Sequence, residues 1–160
     1  MCGIAGYFNP DQNYAENPKQ NFHTLSRMIN TMNHRGPDTY GHTIINSCCL
    51  AHTRLSIIDL ENGRQPMSYT KDGNTYYIVY NGEIYNYKEV KKTLLRKNYT
   101  FETNSDTEVI IAAFCHYGPG FVKELNGIFA IAIYDSMRNT LYLYRCLLYT
   151  SPSPRDAHES

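Results

Sequence analysis

The chain has 160 residues, 42% hydrophobic and 19% charged, with 10 glycines and 7 prolines; that is one domain's worth of foldable sequence and excludes a disordered or collagen-like polymer. Fifteen Lys and Arg balance fifteen Asp and Glu, which removes the clustered positive charge on which binding to nucleic acid or an anionic membrane surface rests. The longest apolar runs, 109–115 and 128–134, fall far short of the roughly 20 residues of a membrane-spanning helix, and a soluble chain with no membrane partner is expected.

Residues 1–8 form a short β-type run, without the basic flank of an export signal and ended too early by Asn9, Pro10 and Asp11. Phe22, Leu25, Met28, Ile29 and Met32 recur at helical spacing, and Arg35-Gly36-Pro37-Asp38 is the expected stop. Strands are predicted at 49–53, 55–59 and 75–80, with Asn81-Gly82 as a turn signal. Tyr87, Val90, Leu94 and Leu95 mark a second, lysine-rich amphipathic helix. Residues 107–117 mark a third, apolar nearly all round and therefore buried. Gly118-Pro119-Gly120 breaks it, a short helical piece follows at 121–125, and strands at 128–135 and 140–145 flank a Met137-Arg138-Asn139 turn.

The strands are apolar on both faces, which predicts two sheets stacked on each other with helices outside. Fifteen tyrosines and no tryptophan suit half-buried strands of this kind. From Cys146 to Ser160 the period disappears and Ser151-Pro152-Ser153-Pro154 enters, so a domain over 1–145 and an unrelated, disordered tail over 146–160 are expected. The five cysteines, Cys2, Cys48, Cys49, Cys115 and Cys146, lack metal-type spacing. No metal site and a reducing, cytoplasmic compartment are expected.

Cys2 is the most informative residue. Removal of Met1 would place its thiol beside a free α-amine, which titrates at about 7.7–8.0 and can serve as the base for its own nucleophile. The plainer reading is a small residue buried in an edge strand. Asn81 and Gly82 form either a hairpin turn or a donor pair, side-chain amide and backbone N–H, for a developing oxyanion. Arg54 interrupts a strand-like stretch, and its planar fork suits a carboxylate, the protein's own or a substrate's. Asp106, where the third helix opens, is a cap residue or a ligand for a substrate ammonium. The six histidines are scattered, and a Cys–His dyad through His34 or His52 finds no support in their spacing.

Taken together, Met1-Cys2-Gly3-Ile4-Ala5-Gly6, His34-Arg35-Gly36-Pro37-Asp38, His52-Thr53-Arg54-Leu55-Ser56-Ile57-Ile58-Asp59, Tyr80-Asn81-Gly82-Glu83-Ile84-Tyr85-Asn86, Ser105-Asp106-Thr107-Glu108 and Leu125-Asn126-Gly127-Ile128-Phe129-Ala130 stand in the order seen in class II glutamine amidotransferases. The chain resembles that family over 1–145, and within it is most similar to the glutaminase half of glutamine-hydrolysing asparagine synthetases.

The resemblance implies an α+β, four-layer αββα N-terminal-nucleophile hydrolase fold, C-terminally truncated. Cys2 would hydrolyse glutamine to glutamate and ammonia, with Asn81 and Gly82 at the oxyanion. Arg54 would hold the α-carboxylate, Glu83 and Asp106 the α-amine side, and the backbone of Leu55, Ser56, Ile57 and Ile58 would orient the ligand. The glutaminase half needs no cofactor; ATP and Mg belong to a synthetase domain, normally in the same chain, that activates aspartate and is missing here. A homodimer is implied for the full-length enzyme. The alternatives are a class II glutaminase serving another acceptor, and an inactive fragment that only binds glutamine or a partner.

Overall fold

The computed structural model describes residues 2–32, 39–54 and 64–146. In chain order these form β1 (Gly3–Phe8), α1 (Pro18–Asn30), β2 (Thr39–Ile45), β3 (Cys48–Arg54), β4 (Met67–Lys71), β5 (Asn74–Ile84), α2 (Tyr87–Leu95), α3 (Asp106–Tyr117), β6 (Gly127–Asp135) and β7 (Thr140–Arg145). Two 3-10 segments, Tyr14–Glu16 and Gly118–Glu124, complete the set. The strands make two antiparallel sheets, one ordered β1-β3-β2 and the other β4-β5-β6-β7.

Successive side chains of a strand point to opposite faces, and here that alternation separates three cores. Cys49 and Ala51 of β3 pack with Leu25 and Ile29 of α1. Their neighbours Cys48 and Leu50 point the other way, onto Val79, Ala132 and Tyr134 of the second sheet. On the far side of that sheet, Ile78, Tyr80, Ile84, Phe129, Ile131 and Ile133 meet α2 and α3. Each fully buried aliphatic or aromatic side chain stabilises the stack by about 1.5–3 kcal/mol. The layers therefore run helix, sheet, sheet, helix, the α+β αββα arrangement expected from strands apolar on both faces.

Helix α3 is buried along its whole first two turns, Thr107 to Phe114, as its all-round apolar sequence predicts. Helix α1 begins at Pro18, whose fixed φ suits a first turn, and ends at Asn30 with Thr31 as its C-cap, short of the predicted Met32. The stop signal at 35–38 and the strand predicted at 55–59 lie outside the described residues.

Two strands, β2 and β4, are absent from the sequence prediction. Both are sheet edges with exposed positions along one face, so neither carries a clean apolar signal. The turn expected at Asn81-Gly82 is instead the interior of β5, which runs on to Ile84. The tight turn is Asp72-Gly73, both at positive φ, the conformation a two-residue hairpin connection requires. Cys146, at the start of the predicted tail, continues alongside β6: its N–H donates to the Phe129 carbonyl at 3.0 Å, and its Sγ accepts from the Phe129 N–H at 3.3 Å. The remainder of the tail lies outside the described residues.

Candidate active site

Three contacts link the elements that carry or adjoin Cys2, Arg54, Asn81, Gly82, Glu83 and Asp106. The first joins β1 to β3. Gly3 pairs with Thr53, and the Gly3 N–H donates to Thr53 Oγ1 at 3.0 Å. Cys2 immediately precedes this pair, so the antiparallel register carried one residue further sets it opposite Arg54, the partly exposed last residue of β3.

The second contact joins the two sheets. His52 is 2% exposed on the face of β3 that it shares with Leu50, and the backbone carbonyl of Tyr80 on β5 accepts a hydrogen bond from its imidazole. Burial pushes the imidazole down to about 4, against the Tyr80 hydrogen bond, and the nearby Arg54 charge acts in the same downward sense. The imidazole, buried and hydrogen-bonded to the β5 backbone, ties the two sheets together. His34, the other dyad candidate, lies outside the described residues.

The third contact joins β5 to α3. Ser105 caps α3, its hydroxyl accepting from the Thr107 N–H, so Asp106 is the first helical residue rather than the cap. Its Oδ2 accepts from the Tyr80 hydroxyl at 2.9 Å, and backbone N–H groups of Thr107 and Ile84 also donate to the carboxylate. Burial nevertheless raises the Asp106 carboxyl above the usual carboxylate range, and the hydrogen bonds only partly offset this.

Between the second and third contacts lies the segment Asn81-Gly82-Glu83. Strand alternation turns Asn81, 9% exposed, toward the first sheet with Val79, while Tyr80 faces the helices. Arg54 and Asn81 are both engaged in interactions within the fold. Gly82 has φ +153, and a Cβ there would collide with the carbonyl oxygen of Ile128 on β6, so only glycine allows this approach of the two strands. Gly82 and Glu83 are exposed.

The structure thus gathers the strand that follows Cys2, the end of β3 with Arg54, residues 81–83 of β5 and the N-terminus of α3 with Asp106. Leu55, Ser56, Ile57 and Ile58 lie outside the described residues. Tyr80, Thr53 and His52 are the residues that tie these parts together, and no periodicity or motif marks them as supports. The signal the sequence does carry is the position of Tyr80 directly before Asn81. A strand residue flanking a candidate pair points to the opposite face and can anchor it.

A family model described as a glutamine amidotransferase domain matches residues 1–152. Asparagine synthetase (glutamine-hydrolyzing) 3 of Bacillus subtilis is 39% identical over 152 residues, which cover 95% of this chain and 24% of that protein. Asparagine synthetase B (glutamine-hydrolyzing) of Escherichia coli is 39% identical over 145 residues, 91% of this chain and 25% of that protein. Among solved structures, glutamine phosphoribosylpyrophosphate amidotransferase from B. subtilis shares the fold at a TM-score of 0.51 and 22% identity, over 62% of this chain and 24% of that one. The chain spans about a quarter of the length of these curated relatives.

Proposed function

The chain belongs to the glutamine amidotransferase domain family, and from that premise we propose that it is the glutaminase part of an asparagine-synthetase-type enzyme. With Met1 removed, the Cys2 amine accepts the thiol proton and Sγ attacks the side-chain carbonyl carbon of glutamine. The carbonyl oxygen becomes an oxyanion facing the Asn81 amide and the Gly82 N–H, donors fixed before the reaction begins. Return of the proton to the leaving nitrogen releases ammonia and leaves a γ-glutamyl thioester on Cys2. Water, deprotonated by the same amine, then gives glutamate and the free thiol.

Arg54 holds the substrate α-carboxylate through paired hydrogen bonds. Asp106 and Glu83 take the α-ammonium, and the 55–58 backbone completes the cradle. No cofactor enters this half-reaction. ATP and Mg serve an acceptor-activating domain elsewhere in a longer, homodimeric, cytoplasmic protein, with aspartate as acceptor. The observation that carries the reading is the hydrogen-bonded path Gly3–Thr53, His52–Tyr80, Tyr80–Asp106, which supports one site at the end of β1. The fold likeness to a phosphoribosylpyrophosphate amidotransferase supports a second reading, the same half-reaction with another acceptor.

The test is glutamate release from glutamine by protein whose loss of Met1 is verified by intact mass, beside Cys2→Ala. Turnover that depends on Cys2 is expected. Well-folded, Met1-processed protein without turnover would leave only a binding role.

A further inference from the structure

Gln65 lies just before β4, and its position relative to β5 is unusual. The β4–β5 register pairs Met67 with Ile78, and continued two residues it sets 65 opposite Tyr80. Backbone pairing does not continue; the side chain replaces it. Gln65 Oε1 accepts from the Tyr80 N–H, filling the place of a strand carbonyl. The other end of the carboxamide, Nε2, donates to Oγ1 of Thr107 at 3.3 Å, the buried residue that follows Asp106 in α3. The Gln65 backbone carbonyl lies against Gly41 of β2, so close that a Cβ at 41 would overlap it. One residue therefore touches β2, β5 and α3.

We infer that Gln65 is a positioning residue that sets the distance between the two ends of the substrate pocket. The inference rests on the proposed glutaminase reading. Through Tyr80 the residue fixes the peptide leading into Asn81 and Gly82, where the side-chain carbonyl of the substrate would sit. Through Thr107 it fixes the helical turn bearing Asp106, where the α-ammonium would sit. A spacer between these points acts as a gauge of substrate length, favouring glutamine over asparagine, which is one methylene shorter. A methylene misplaced in a rigid site changes discrimination by roughly 10- to 200-fold, and a gauge held by two hydrogen bonds loses much of that when they are removed.

The experiment compares kcat/KM for glutamine and for asparagine in the wild-type chain, Gln65→Leu and Thr107→Val, together with hydrogen exchange at the Tyr80 amide in the absence of substrate. Gln65→Leu is expected to lower the glutamine-to-asparagine ratio on the order of tenfold, with turnover still dependent on Cys2 and the Tyr80 amide exchanging on the order of tenfold faster. Thr107→Val is expected to lower the ratio less while leaving Tyr80 exchange at the wild-type rate, and it carries the test should Gln65→Leu fail to fold. A ratio unchanged within about twofold in the folded variant overturns the gauge. Wild-type exchange at Tyr80 in Gln65→Leu overturns the contact on which it stands, whatever the activity. Absence of Cys2-dependent turnover in the wild-type chain is a different result and sinks the glutaminase reading itself.

Discussion

The hydroxyl of Tyr80 donates to Asp106 Oδ2 at 2.9 Å, joining the residue that precedes the candidate oxyanion donors to the candidate ammonium ligand. In Tyr80→Phe a partly buried carboxylate loses one of its donors, and a hydrogen bond to a charged group contributes about 1.5–3 kcal/mol. Urea unfolding should register a loss of that size. Because the hydroxyl lowers the Asp106 carboxyl toward its ordinary value, its removal should raise that carboxyl further. The KM for glutamine should increase more than kcat falls.

Asp106→Asn should separate stability from binding. The folded carboxyl titrates above its unfolded counterpart because of burial, so its favourable contribution is full below the unfolded value and is lost as pH rises through the folded one. At neutral pH the ionised group opposes folding. The asparagine variant, whose Oδ1 still accepts from Tyr80, should unfold at higher urea concentration at pH 7, with the difference narrowing in acid. Its KM for glutamine should rise by roughly 10- to 100-fold, the worth of one charge-assisted hydrogen bond.

His52 gives the fold an acid-sensitive window. Its imidazole lies at about 4 when folded against 6.5 as a free group. Between those values the unfolded chain binds the extra proton, so stability falls as pH falls, by up to roughly 3 kcal/mol across the window. Urea midpoints measured from pH 4.5 to 7 should show this slope, and His52→Gln, which keeps a donor for the Tyr80 carbonyl, should flatten it.

Glu108, 5% exposed, braces the loop before α3. Its two carboxylate oxygens accept from the Glu102 N–H at 2.8 Å, the Thr103 N–H at 2.7 Å and the Thr103 hydroxyl at 2.6 Å. Glu108→Ala should destabilise the protein by roughly 2–4 kcal/mol through orphaned donors. Glu108→Gln, which keeps one accepting oxygen, should fall between alanine and wild type in thermal denaturation.

The elements legible in the sequence were those with a complete period. Helix α2 stands at 87–95 as its apolar stripe predicts, α3 is as buried as its composition requires, and β7 ends where expected. What escaped depended on distant neighbours. Asn81-Gly82 carries a stronger turn signal than Asp72-Gly73, yet β6 claims it by pairing Asn81 with Ala130 and Gly82 with Phe129, and only those partners explain the glycine. Cys2, Arg54, Asn81, Gly82 and Asp106 are legible as residue types with a chemical reading of their own, and Glu83 only through the family resemblance. Gln65, His52 and Tyr80 were not visible as their supports, because their partners stand 15 to 42 positions away in Tyr80–Gln65 and Gln65–Thr107, or on the opposite sheet.

Strands β3, β5 and β6 each belong to two of the three cores at once. Loosening either outer layer of helices would strip one face from strands whose other face holds the centre together, so partial melting carries almost the full penalty of complete melting. Heat should therefore dissolve the described domain in a single cooperative step, its calorimetric and van't Hoff enthalpies coinciding.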